Sequence, residues 1–162
     1  MRTSACIDAA AVLAMLLLPT SSVWAATSDC YAIRNQDRQN LCLAQARAQS
    51  SYCYAVQDAD LKHFCLATVK SERSQCYSIR ESDLKNQCLA YTQGPSSHCY
   101  SIRDDDAKSA CLARERGESS YCYSVRDSDA RNFCLATVKG TRSYCYSIGS
   151  TDLKNQCLAL TR

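Results

Sequence analysis

The residues with the most chemical potential in this chain are cysteines and aspartates, and they occur together. In CYSIRDDDAKSACLA, residues 99 to 113, Cys99 and Cys111 stand twelve positions apart around Asp104, Asp105 and Asp106. Thiolates hold zinc or copper when they converge at short spacing, typically C-x2-4-C and often with histidines. The chain has no such spacing, and its two histidines, His63 and His98, do not recur at one place in the pattern. The C-x-x-C of thioredoxin-like exchange and the C-x-x-C-H of haem attachment are also absent. Aspartates at alternate positions, Asp58 and Asp60, Asp104 and Asp106, Asp127 and Asp129, offer oxygen ligands to calcium. An EF-hand loop also needs a central glycine and a terminal bidentate glutamate, and neither stands in place. Nucleophilic catalysis requires one constellation of Ser or Cys with His and a carboxylate, whereas these residues repeat along the chain without a unique set. The expectation is a protein with no resident metal, no cofactor and no catalytic activity. The chemistry left for paired cysteines is the disulfide.

The elements that would position them follow from the spacing. Cysteines at 30, 53, 76, 99, 122 and 145, and again at 42, 65, 88, 111, 134 and 157, form two series that both advance by 23. Residues 26–162 are therefore one repeat domain, with copies at approximately 28–50, 51–73, 74–96, 97–119, 120–142 and 143–162. Counting the first cysteine of a copy as position 0, every copy carries Ser at −2, Tyr at +1, Ile or Val at +3, Asp at +7, Cys at +12, Leu at +13 and Ala at +14. A slower period overlies this one. SSYCYAVQDADLKHFCLATVK (50 to 70) returns as SSYCYSVRDSDARNFCLATVK (119 to 139), so copies 1 to 3 match copies 4 to 6. A duplication of a 69-residue block accounts for this; a superhelix with a face recurring every three copies would also favour it.

The first 25 residues read as a secretory signal peptide. Arg2 supplies the positive start, Ala9 to Leu18 the short apolar run, and Val23-Trp24-Ala25 the small residues of a cleavage site. That run is too short to span a membrane. Twelve of the 13 cysteines follow it, an even number in an exported chain, as a disulfide scaffold requires. The expected location is periplasmic or secreted. A net charge of +3, with acidic and basic residues interspersed, excludes the basic footprint of a nucleic-acid binder.

Within a copy, the Ser at −2 suits an N-cap, followed by a helix A of about seven residues with Cys at 0 and Ile or Val at +3 on one face. The Asp at +7 suits a second N-cap, opening a helix B whose Cys, Leu and often Val at +8 to +16 form an apolar face. Helix B ends at the links where Gly94, Pro95, Gly117 and Gly140 fall. The rival is one unbroken helix per copy. Cysteines twelve apart on such a helix are about 18 Å apart, beyond the reach of a disulfide, so each second cysteine would have to bond the first of the next copy. That leaves Cys30 and Cys157 without neighbouring partners. A hairpin closed within each copy uses all twelve: Cys30 with Cys42, Cys53 with Cys65, Cys76 with Cys88, Cys99 with Cys111, Cys122 with Cys134 and Cys145 with Cys157. The hairpin is favoured.

The pattern C-x2-[IV]-x4-[LA]-x3-C, with Asp just before the [LA] position, runs through residues 28 to 162, with Arg38 in place of [LA] in the first copy. It resembles the short cysteine-paired helical hairpins repeated in tandem in exported prokaryotic proteins. The resemblance implies a break between helices at Asp104-Asp105-Asp106 and its equivalents, although this chain lacks the proline found there in the family. It implies no particular activity. Tetratricopeptide-type repeats are a looser comparison, having longer units and no cysteine pair. The expected fold is all-α, a disulfide-stapled helical-hairpin solenoid of six 23-residue repeats. A unit that short cannot bury enough surface alone, so the staples and the stacking of copies must supply stability.

The candidate binding residues are the tyrosines at +1, Tyr31, Tyr54, Tyr77, Tyr100, Tyr123 and Tyr146, with Arg34, Arg80, Arg103 and Arg126 three residues further on. Tyr and Arg dominate interface hot spots, and aligned copies would set them in a ladder. Alternatively each Tyr packs on its disulfide or the next copy. Gln57 and Gly149 interrupt the Arg series, and Tyr52, Tyr121 and Tyr144 add aromatic surface. The expected role is a non-catalytic interaction or structural module whose partner is a protein or an envelope polysaccharide. Two alternatives stand beside it: an inhibitor or immunity-type protein acting through a link such as 93–97, and a cysteine-rich metal-binding protein.

Overall fold

Each copy begins with a single helical turn and leaves it early, because positions +3 and +4 are needed in extended form to bring the chain around. The computed structural model describes residues 27–93 and 96–161. The leader expected over 1–25, and the link residues Gly94 and Pro95, lie outside the described residues. Six long helices follow the turns: α1 (Gln36–Arg47), α2 (Ala59–Lys70), α3 (Ser82–Gln93), α4 (Asp105–Arg116), α5 (Ser128–Lys139) and α6 (Thr151–Leu160). The segments before them are short, either one α-turn (Ser51–Tyr54) or 3-10 turns such as Arg73–Ser78 and Tyr121–Ser124. No strand occurs among the described residues. All six disulfides close within a copy, between cysteines whose Cα atoms are 5.5 to 5.6 Å apart.

Three local details differ from expectation. Helix A is four to six residues long rather than seven where its bounds are defined, and the −2 serines do not open it as caps. Ser51, Ser74, Ser97 and Ser143 lie inside the short segments, and Ser120 precedes one without a side-chain cap bond. The cap of the long helix lies at +5 instead of +7. Asn35, Asp58, Asp104, Asp127 and Ser150 accept from the backbone N–H three residues on, at 2.7 to 3.4 Å, and Glu81 does so in the third copy through the N–H groups of Asp83 and Leu84. The helix therefore starts two residues earlier than expected, and the Asp at +7 falls inside its first turn, free to reach outward. At the other end, position +18 takes the left-handed conformation that closes a helix. Gly117 and Gly140 do so at φ +68° and +63° without a Cβ to strain, and Ala48 and Ser71 adopt it as well.

The core is built copy by copy. In each, the disulfide and the Leu at +13 pack around the Ala at +14 of the preceding copy, which is at most 2% exposed in all six, and in four copies Ile33, Ile79, Ile102 or Ile148 at +3 joins them. Ala67, for example, packs on Cys76, Ile79, Cys88 and Leu89. Ala at +14 thus brings a small side chain to each seam, where successive copies meet.

The same arrangement joins the last copy to the first. Ala159 of copy 6 packs on Cys30, Ile33, Cys42 and Leu43 of copy 1. Asp152 accepts from the N–H groups of Arg34 and Asn35, Asn155 donates to the carbonyl of Ala32, and Arg142 pairs with Asp29 at 3.4 Å. The copies stack as a solenoid expects, but the stack closes into a ring of six. There is a physical reason. Every copy carries the same apolar interface on both sides, so copy 6 offers copy 1 the surface that each copy offers the next.

Candidate functional site

Two regions of the ring gather residues able to recognise another molecule. The first is the rim at the C-terminal ends of the long helices. The six +1 tyrosines keep between 55% and 65% of their surface exposed, so they do not pack between copies. The helix has already ended at +2 or +3, and Arg34, Arg80, Arg103 and Arg126 are carried away toward the N-terminal ends of the long helices. The structure does not bring these arginines onto the tyrosines. Their backbone N–H groups meet the +7 aspartate of the preceding copy, and the side chains of Arg80 and Arg126 extend into solvent.

The cations on the tyrosine rings come from position +17, in the last helical turn, where the helix dipole favours positive charge. Arg47 donates to the hydroxyls of Tyr31 and Tyr52, Arg116 to those of Tyr100 and Tyr121, and Lys139 to those of Tyr123 and Tyr144. Each of these cations also lies 5.3 to 5.9 Å from both ring centroids, within cation–π range. Hydrogen bonds donated to Tyr123 and then to Tyr144 raise the pKa of the Lys139 ammonium. In the second junction Lys70 bonds Glu72 instead, and Arg73 takes Tyr77. The rim thus presents a tyrosine per copy, most of them braced by a cation that sequence reasoning did not select. The available signal was the basic residue recurring at +17.

The second region is a central cavity of about 720 Å³ lined by all six long helices. Positions +8, +11 and +15, one stripe at i, i+3 and i+7, turn toward it. Leu84 and Leu153 at +8 pack on the seam with Cys and Leu at +12 and +13, as expected, and Leu153 also borders the cavity. Aliphatic and aromatic groups dominate the wall, among them Leu41, Phe64, Phe133, Leu153 and Leu160. Phe64 meets Tyr91 edge to face, at 5.9 Å between centroids and 81° between planes. The guanidinium of Arg114 lies over the Tyr91 ring.

Arg114 borders the cavity and is accessible to water. Crowding by protein lowers its pKa from 12.5 to about 10, and the Glu115 carboxylate compensates only in part. Burial correspondingly raises the pKa of Glu115. The Arg114 guanidinium makes no ion pair or hydrogen bond among the described residues.

All twelve cysteines of the repeats are held in disulfides, which leaves none of them as a thiolate. Among the described residues no three His, Cys, Asp or Glu side chains gather as a metal site, and no helix is long and apolar enough to cross a membrane. Comparison of the chain with protein families, with curated proteins and with solved structures gives no match.

Proposed function

We propose that this protein is a non-catalytic binding module of an oxidising compartment, periplasmic or extracellular, and that the tyrosine rim recognises a protein or an envelope polysaccharide. Six disulfides in one small helical chain support the compartment. The rim supports the activity: six equivalent tyrosines, over half exposed, stand at fixed intervals around a closed ring. Rigid aromatic groups lose little entropy on binding, and the cations at Arg47, Arg116 and Lys139 are already ordered against them. A partner with its own periodicity would meet several copies at once and gain by avidity.

The experiment compares the wild-type ring with variants carrying Tyr→Ser at two, four and six +1 positions, immobilised and exposed to the native envelope or culture medium. Retention of one defined partner that falls in step with the number of tyrosines replaced supports the rim. Equal retention by the sixfold variant contradicts it. Loss caused by altering the 93–97 link alone would support the inhibitor reading instead.

A further inference from the structure

The cavity wall differs from the rest of the ring in one respect: its residues are not those of the repeat. Position +11 reads Leu41, Phe64, Gln87, Ala110, Phe133 and Gln156, and +15 reads Gln45, Thr68, Tyr91, Arg114, Thr137 and Leu160. Copies three apart face each other across a ring of six. Phe64 therefore stands opposite Phe133, and Thr68 opposite Thr137, as the 69-residue block dictates. Arg114 breaks this symmetry: it stands opposite Gln45, whose side-chain oxygen is buried without a hydrogen-bond partner among the described residues. Closing the ring needs neither residue, and the Arg114 guanidinium borders the cavity, accessible to water, with no side-chain hydrogen bond or ion pair among the described residues to occupy it.

We propose that the central cavity binds one amphipathic organic anion, its charge on the Arg114 guanidinium and its apolar body against Tyr91, Phe64 and Phe133. The volume falls within the range of small-molecule sites, which are mainly apolar with a few polar groups fixing orientation. Arg114 is held by stacking on Tyr91 and still has its donors unused, so it can give a forked pair of N–H bonds to a carboxylate, sulfonate or phosphate. Glu115 follows Arg114 directly, and one residue along a helix turns the side chain by about 100°. It opposes an anion without occupying the guanidinium. The Gln45 amide, turning about its broad terminal torsion, would accept from a donor on the far end of the ligand. This site is independent of the tyrosine rim.

The test uses 8-anilinonaphthalene-1-sulfonate, a flat apolar anion with one N–H donor, beside its uncharged relative N-phenyl-1-naphthylamine. The wild-type ring binds one sulfonate probe per chain. Arg114→Gln weakens the sulfonate by about tenfold or more, the loss expected for a charge-assisted hydrogen bond, and leaves the neutral probe unchanged. Glu115→Gln tightens the sulfonate, and Phe64→Ala weakens both probes. Disulfide content and far-ultraviolet circular dichroism certify that the variants are folded. Equal sulfonate affinity for wild type and Arg114→Gln, or binding of several probes per chain, overturns the proposal.

Discussion

Each long helix turns one side to the neighbouring copy and another to the central cavity, and the two sides treat the repeat in opposite ways. On the seam, the contact made by Asp at +7 recurs in all six copies, and that made by Asn at +10 in four. Asp37, Asp60, Asp83, Asp106, Asp129 and Asp152 each accept two N–H groups from positions +4 and +5 of the next copy, at 2.8 to 3.1 Å. Asn40, Asn86, Asn132 and Asn155 at +10 each donate to the next copy's carbonyl at +2, at 3.1 to 3.3 Å. On the cavity side, the backbone positions are equally periodic, yet the side chains range from alanine to arginine. In a ring of like copies, what repeats holds the ring and what departs from the repeat is available to distinguish one ligand from another.

The largest expected effect lies on the repeated side. Replacing one disulfide, Cys99→Ser with Cys111→Ser, removes the closure of a loop of about 13 residues and costs on the order of 3 kcal/mol in the chain-entropy account. Doing the same to Cys53 and Cys65 should cost a similar amount, read by chemical denaturation of both variants. If only one of the six bonds mattered, the equivalence of the seams would fail.

A smaller effect follows from acid. Two accepted N–H bonds hold the carboxyls of Asp60, Asp83, Asp106, Asp129 and Asp152 below the usual aspartate value. A pKa depressed in the folded state means that the unfolded chain binds protons first as pH falls. The stabilisation is present above the unfolded value of about 3.9 and is lost as pH drops through the folded values. Thermal melts from neutral pH down to about pH 2 should show the loss starting near the unfolded value. A ring with all +7 aspartates changed to asparagine should lose that part of the acid sensitivity.

Much of this was legible in the chain. The period of 23, the staple between Cys99 and Cys111 and the helical class follow from spacing and from the reach of a disulfide. The cap was misplaced because +7 is invariant and +5 is not; yet Asn35, Asp58, Glu81, Asp104, Asp127 and Ser150 are all side chains with a cap-accepting oxygen, and that chemical agreement was the better signal. The invariance of Asp at +7 instead reflects a contact 20 residues away. Closure was hidden for a different reason. A curvature of one sixth of a turn per copy depends on how closely Ala at +14 lets helices approach, and no local pattern states it. The cavity stripe was visible only as the columns where the repeat fails.

The central claim is the ring, and the seam between copy 6 and copy 1 tests it most directly. In an open stack Asp152 has no following copy to hold, whereas Asp83 lies between copies 3 and 4 in either arrangement. The measurement is the melting temperature of Asp152→Ala against that of Asp83→Ala, at neutral pH with all disulfides intact. A closed ring predicts that both substitutions lower it by the same amount. A melting temperature unchanged by Asp152→Ala, with a clear fall from Asp83→Ala, would contradict the closure.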